Sequence, residues 1–370
     1  MTTLKIAILG TRGIPNHYGG FEQLAEQLSA GLVQLGHSVT VYSSHRHPYK
    51  EKKLNGVSII HCYDPEHWMG SSGQFIYDLN CVRNAARKTF DVLLFLGYTS
   101  SSVWGRFYPK KTVIISNMDG LEWKRSKYSA QAKRFLLTAE KLAVRFSHFF
   151  VADSPAIQSY LQNKYGLEAA YIPYGAKVME NEDPSLLSGY DLSIGNYYML
   201  MARMEPENNI EMILDGFHHS DSAKKFIVIG NTANKFGSKM VKKFAADKRI
   251  IFAGAIYDQA ILHVLKRYCI IYFHGHSVGG TNPSLLEAMA SGAVVAAHDN
   301  VFNRAVLQED GLYFSSAADV TRLVGTELQQ EAADKMRAAN FCKIKNEFNW
   351  PAVIGQYENF IRACYRGRSL

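Results

Sequence analysis

The chain has 370 residues, 47% hydrophobic and 20% charged, a composition that excludes a disordered protein and gives enough apolar material for two α/β cores. No apolar run approaches the roughly eighteen residues of a membrane-spanning helix, and the stretch Ile6 to Leu9 is strand-sized with no small-residue cleavage site after it, so a soluble, cytoplasmic chain is expected. The net charge of +8 lies in the first half: residues 1–180 hold 21 Lys/Arg against 13 Asp/Glu, while residues 181–370 hold 20 of each, which suits an anionic surface or ligand met by the first half.

Taken in chain order, Leu4 to Gly10 is an apolar run ending at glycine, and Phe21, Leu24, Ala25, Leu28 and Leu32 then recur at helical spacing. Gly36-His37-Ser38 turns into the strand Val39 to Tyr42, completing a βαβ unit with a parallel crossover. Strands are predicted at Val57 to His61, Val92 to Leu96, Val113 to Ser116 and Phe149 to Ala152, giving a doubly wound first domain over residues 1–175. Residues 176–196, with Pro184, Gly189 and Gly195, read as linker and hinge. The pattern restarts over 197–349, with strands at Tyr197 to Ala202, Phe226 to Gly230, Ile250 to Ala253 and Ile270 to Phe273, and helices beginning near Ile210, Lys239, Asp258 and Ser284. Val353, Tyr357, Phe360 and Ile361 predict a terminal helix over 350–370 that packs back toward the first domain. The five cysteines, Cys62, Cys81, Cys269, Cys342 and Cys364, are odd in number and contain no CxxC pair, so they read as reduced core thiols.

Two segments of the second half carry the most specific signal: Tyr198 to Asn209, reading YMLMARMEPENN, and His274 to Ala290, reading HGHSVGGTNPSLLEAMA. Together they resemble glycosyltransferase family 4, in which a strand ends at an arginine that grips the donor diphosphate and a later Gly-rich loop opens a helix carrying a glutamate before Ala-Met-Ala. The loop Gly10 to Gly20, the segment Asn117 to Arg125 and the late Phe348-Asn349-Trp350 are similar to the same family. The likest branch is the bacterial one containing rhamnosyltransferases of capsule and surface polysaccharide synthesis. The resemblance implies the GT-B fold, two Rossmann-like α/β domains facing a cleft, and a transferase that retains anomeric configuration.

The chemistry of the donor explains these residue types. A leaving nucleoside diphosphate develops negative charge, so fixed cations and bare N–H groups must be aimed at it. Arg203 supplies a bidentate cation, while Gly279, Gly280, Thr281 and Asn282 bring backbone amides and a helix N-terminus to the same place. No Asp-x-Asp pair exists to hold a divalent ion, and none of the histidines has a zinc spacing, so neither a metal nor a cofactor is expected. Glu287 is expected to accept hydrogen bonds from the ribose hydroxyls, as its family counterpart does, and His276 to contact donor sugar or phosphate. Two positions depart from the family pattern. Asn208 stands where a second phosphate-binding lysine is usual, and Gly279 where a sugar-binding glutamate is usual; the second loss is compatible with a deoxy sugar, and dTDP-L-rhamnose is the expected donor.

In the first domain, Gly19 and Gly20 permit backbone approach to a donor phosphate, and His17, Tyr18 and Glu22 line the acceptor side, with Glu122 and Arg125 from the later segment. Asp119, just after a strand where many family members carry a histidine, is the leading catalytic candidate beside Arg203. Lys127, Arg134, Lys141 and Arg145 fall on one helical stripe, in a stretch between Trp123 and His148 with seven basic residues and one acidic, Glu140. That stripe predicts docking on anionic lipid at the inner face of the cell membrane, bringing the enzyme to a saccharide acceptor on a polyprenyl lipid. A nicotinamide dehydrogenase is disfavoured because the second strand ends in Val41-Tyr42-Ser43-Ser44 without an acidic ribose ligand, and a nucleic-acid partner because no reader motif is present. The alternative from another class is a non-catalytic nucleotide-sugar or saccharide binding protein derived from a transferase.

Overall fold

Strands form where apolar residues run without alternation, the mark of parallel sheets covered on both faces. Residues 2–17, 19–118, 120–125, 128–179 and 183–368 are described in the computed structural model. Its first sheet comprises β1 (Lys5–Leu9), β2 (Ser38–Ser44), β3 (Lys53–Leu54), β4 (Val57–Cys62), β5 (Val92–Leu96), β6 (Val113–Asn117), β7 (Phe149–Ala152) and β8 (Ala169–Tyr171). Their order is β3-β4-β2-β1-β5-β6-β7-β8, and only the short β3 runs antiparallel to its neighbour. All five residues of β5 are buried, as its central position requires. Where β1 turns into the following loop, Gly10 has φ +83° and a Cβ there would lie 2.3 Å from the Leu96 carbonyl oxygen, so only glycine fits.

The second sheet comprises β9 (Tyr197–Met201), β10 (Lys225–Ile229), β11 (Ile250–Gly254), β12 (Tyr272–His274), β13 (Val295–His298) and β14 (Leu312–Phe314), in the order β11-β10-β9-β12-β13-β14 and parallel throughout. An aromatic cluster of Tyr198, Phe217, Phe226, Phe273 and Phe314 fills the core on one face. The helix expected near Lys239 spans Lys235–Lys243, because Asn234 caps it four residues earlier by accepting from Gly237 N.

The chain divides into two units. Unit 1 holds residues 1–124, 128–174 and 350–370, and unit 2 holds 125–127 and 175–349. The helix Trp350–Arg368 therefore belongs with the first sheet. It buries Trp350, Val353, Tyr357, Ile361 and Cys364 on one stripe, and Tyr357 Oη accepts from Asn117 Nδ2 at 3.1 Å. Gly31 of the helix Gly20–Gln34 makes room for it, since a Cβ there would meet Ile354 at 2.5 Å. Four cysteines are buried, but Cys342 lies exposed on the helix Gln330–Asn346, which corrects the expectation of five core thiols: that helix buries only Ala333, Asn340 and Ile344. Among the described residues no helix is long and apolar enough to cross a membrane.

Candidate active site

In the second sheet the strand order reverses at β9 and β12, which pair through Tyr272↔Met199 and Phe273↔Leu200. The carboxyl ends of strands at such a reversal are where open α/β sheets bind ligands. Arg203 follows the end of β9, and the loop His276 to Asn282 follows the end of β12, so topology alone delivers both segments to one place.

They interlock there. Asn209 Nδ2 donates to the Gly275 carbonyl at 2.8 Å, and Ser277 donates to the Glu207 carbonyl through its N–H (3.2 Å) and its Oγ (2.7 Å). The approach is so close that a Cβ on Gly275 would fall 1.9 Å from the Asn208 carbonyl oxygen. Asn208 is buried, and its Nδ2 donates to the Arg203 carbonyl at 2.7 Å, which fixes the turn that presents Arg203. This side chain is thus engaged with backbone. Arg203 itself is exposed, and its guanidinium has no hydrogen-bond or ion-pair partner among the described residues.

Beside it, His274 and His276 stack with ring centroids 4.4 Å apart and planes 17° from parallel. Burial, then the charges of Arg203 and Arg125, push His276 down to about 3, and burial with its stacked neighbour holds His274 well below the usual imidazole range. Both rings are therefore neutral near pH 7. Neither nitrogen of His274 nor Nδ1 of His276 has a hydrogen-bond partner among the described residues. The carbonyl of His276 accepts from Asn300 Nδ2 and Asn303 Nδ2, each at 3.0 Å, which pins the start of the Gly-rich loop. Gly279 has φ +135° and a Cβ there would meet nothing within 4 Å, so the loop is open at that point. Thr281 is buried. Asn282 caps the helix Pro283–Ala290 by accepting from Ser284 N at 3.0 Å and from Ser284 Oγ at 2.8 Å.

Glu287, one turn into that helix, is paired with Lys266: Nζ lies 2.7 Å from Oε2, with the lysine side chain 2% exposed and the glutamate 25%. Lys266 was not among the residues singled out from sequence. Its signal was present, because Leu262, Leu265 and Lys266 share the buried face of the helix Gln259–Tyr268, and a cation on such a face needs a partner. His274 was likewise passed over among the scattered histidines.

In unit 1 the loop after β1 is tied to the helix it opens. Glu22, expected on the acceptor side, is buried and accepts from Arg12 N (2.8 Å) and Thr11 Oγ1 (3.2 Å), so its carboxylate organises the loop. Gly19 caps the helix in extended conformation, and Gly20 is its first residue. His17 is exposed and packs edge-on against His47, with centroids 5.4 Å apart. Glu122 lies in the short turn Glu122–Lys124, and Arg125, grouped with unit 2, has Nη1 3.5 Å from Glu207 Oε1. Tyr18, Asp119 and Lys127 lie outside the described residues.

The helix Ala130–Phe146 exposes Arg134, Lys141 and Arg145, with Phe135 40% exposed beside them. Its single acidic residue, Glu140, faces inward and accepts from Lys164 Nζ (2.7 Å), Tyr160 Oη (2.8 Å) and Tyr165 Oη (2.6 Å), so the outer face is basic without interruption by that carboxylate. Among the described residues no group of three His, Cys, Asp or Glu side chains could hold a metal ion.

Comparison with known proteins fits this geometry. Residues 195–338, which include both interlocked segments, match the family Glycosyl transferases group 1. The chain carries a glycosyltransferase domain. Residues 3–177 match a domain of unknown function, DUF1972. None of the curated proteins compared matches the sequence. Among solved structures, a sucrose-phosphate synthase from Thermosynechococcus elongatus is similar with a TM-score of 0.83 at 17% identity, over 98% of this chain and 100% of that one. The Anabaena protein HepE in complex with UDP-glucose gives 0.76 at 14% identity, over 97% and 100%. An α,α-trehalose-phosphate synthase (UDP-forming) from Burkholderia vietnamiensis gives 0.70 at 12%, over 98% and 100%. At such identities the likeness establishes the fold, two parallel-sheet α/β units of the GT-B kind, and the group 1 domain makes the chain a glycosyltransferase.

Proposed function

We propose that this glycosyltransferase moves a sugar, L-rhamnose from dTDP-L-rhamnose, to a saccharide acceptor on a polyprenyl lipid, with retention of configuration and without a metal ion. The observation that carries the reading is the interlock of the Arg203 turn with the loop His276 to Asn282 at the strand-order reversal. An exposed guanidinium and the amides of a capped helix N-terminus there suit a leaving diphosphate. Two neutral histidines beside Arg203 add polar ring nitrogens without competing for the anion's charge. A nucleotide-sugar donor is further supported by the UDP-glucose complex of the Anabaena relative.

In this reading Gly279 leaves space where a glutamate would bind hexose hydroxyls, which favours a 6-deoxy sugar. Asp119 takes the role of stabilising the reacting sugar or receiving the acceptor proton. His17, Tyr18, Glu122 and Arg125 serve the acceptor, with Glu22 shaping their loop. The basic helix face of Arg134, Lys141 and Arg145, with Phe135, docks on anionic lipid at the inner face of the cell membrane.

A melting-temperature screen of nucleotide sugars tests the donor, since only ligands of the native state raise it. dTDP-L-rhamnose should stabilise the protein and release dTDP when acceptor is added. Strong binding of UDP-glucose with none of the thymidine compound would refute the donor assignment, and nucleotide binding without sugar release would favour the non-catalytic alternative.

A further inference from the structure

Burying a lysine ammonium costs several kcal/mol unless a partner compensates, and an apolar side chain of similar size would usually serve stability as well. Lys266 is nonetheless among the largest fully buried side chains of the protein. Its ion pair with Glu287 is lopsided: the lysine side chain is sealed at 2% exposure, whereas the glutamate side chain keeps 25%. A ligand arriving from solvent can meet the glutamate and cannot reach the lysine. Any effect of the lysine on such a ligand must therefore pass through Glu287.

A second tie holds the same pair of helices. His263, four-fifths of a turn before Lys266 on the helix Gln259–Tyr268, has Nδ1 3.1 Å from Ser291 Oγ, which in turn donates to the Glu287 carbonyl at 2.8 Å. Both the backbone and the carboxylate of Glu287 are thus anchored to the neighbouring helix. Glu287 lies on the helix that Asn282 caps, directly after the open turn at Gly279.

We propose that Lys266 is a positioning residue for nucleotide recognition: its sealed ammonium, 2.7 Å from Oε2, holds the Glu287 carboxylate in one orientation so that its exposed part meets the sugar hydroxyls of the donor nucleotide. The proposal rests on the reading of this loop as the donor site. A free glutamate would lose side-chain rotamer freedom when it bound a hydroxyl. Here that freedom is surrendered on folding, which favours binding by about tenfold. A uridine nucleotide offers two sugar hydroxyls and a thymidine nucleotide only the 3′-hydroxyl, and the device serves either.

The test measures affinities of UDP and dTDP, and of their analogues lacking the sugar hydroxyls, by calorimetry on the full chain. Lys266→Met should weaken UDP or dTDP about tenfold and leave the dideoxy analogue unchanged. Glu287→Gln should show the same selectivity, and adding Lys266→Met to it should cost nothing more. Equal losses for the hydroxylated and dideoxy nucleotides, or additive losses in the double variant, would make Lys266 a merely structural residue and overturn the proposal. If Glu287→Gln weakens the nucleotide while Lys266→Met does not, the lysine proposal alone falls. If Glu287→Gln has no effect, the donor-site reading falls and the proposal with it. Should Lys266→Met not fold, Lys266→Gln is read against the same outcomes.

Discussion

Gly275 offers the sharpest test of the contact on which the proposed donor site depends. In Gly275→Ala the new Cβ would lie 1.9 Å from the Asn208 carbonyl oxygen and 2.9 Å from Ile213 Cδ1. Ile213 can rotate, but Asn208 presents backbone. Reaching even a 3.0 Å contact requires the two segments to part by about 1.1 Å, which strains Asn209 Nδ2 to Gly275 O at 2.8 Å and Ser277 Oγ to Glu207 O at 2.7 Å. Overpacking of this kind costs roughly 1–3 kcal/mol, and in a unit of this size each kcal/mol lowers Tm by about 2–4 °C. Displacing Arg203 relative to the Gly-rich loop by about 1 Å should reduce turnover by up to about a hundredfold. Calorimetric melting and nucleotide titration read both effects. Gly325→Ala, at a position where a Cβ meets nothing within 4 Å, is the control and should change neither. A Gly275→Ala protein with unaltered Tm and unaltered nucleotide affinity would refute the claim that this contact builds the site.

Arg203→Lys should keep the fold, since the guanidinium is exposed, yet cost about tenfold or more in kcat/KM because a point charge replaces a planar fork; equal steady-state kinetics would count against a diphosphate at this position. Glu140→Ala removes the acceptor of Lys164, Tyr160 and Tyr165 and should destabilise unit 1 by about 3 kcal/mol in urea unfolding, whereas a loss below about 1 kcal/mol would show the network to be dispensable. Burial lifts the carboxyl of Asp78 to about 7, with Asp64 adding to the rise and the Ser100 hydroxyl and Arg12 opposing it. The folded state therefore holds a proton that the unfolded chain releases near pH 4. This contribution, up to about 4 kcal/mol, is present below pH 4 and lost as pH rises through 7. Unfolding at pH 5 and pH 8 should show a smaller difference in Asp78→Asn than in the parent, and an unchanged difference would contradict the assignment.

The central strands were legible because β5 is an unbroken apolar run and β1 is one from Ile6 onward, each buried on both faces there. The edge pieces were not. β3 has two residues, β8 reads Ala-Ala-Tyr and β14 Leu-Tyr-Phe, too short for any period to register; the inner strand β13, Val-Ala-Ala-His, was missed as well because it is alanine-rich, although three of its four residues are buried. The motif segments could be placed at strand ends from sequence, but not the use each side chain would find. Glu22 and Asn208 were read for ligand chemistry, and both are engaged with backbone N–H or carbonyl groups whose proximity depends on the tertiary turn. Lys266 is separated from Glu287 by 21 residues, so its inward position on an amphipathic helix was readable while the identity of its partner was not.

The assignment of Trp350–Arg368 to the first sheet has a consequence for biosynthesis. During translation, residues 175–349 leave the ribosome while the unit begun earlier still lacks the helix that covers Gly31 and engages Asn117. The usual order, in which an N-terminal domain matures first, is thereby inverted: the portion started first is sealed last, and until then its waiting apolar groove is a place for a chaperone or for the wrong chain.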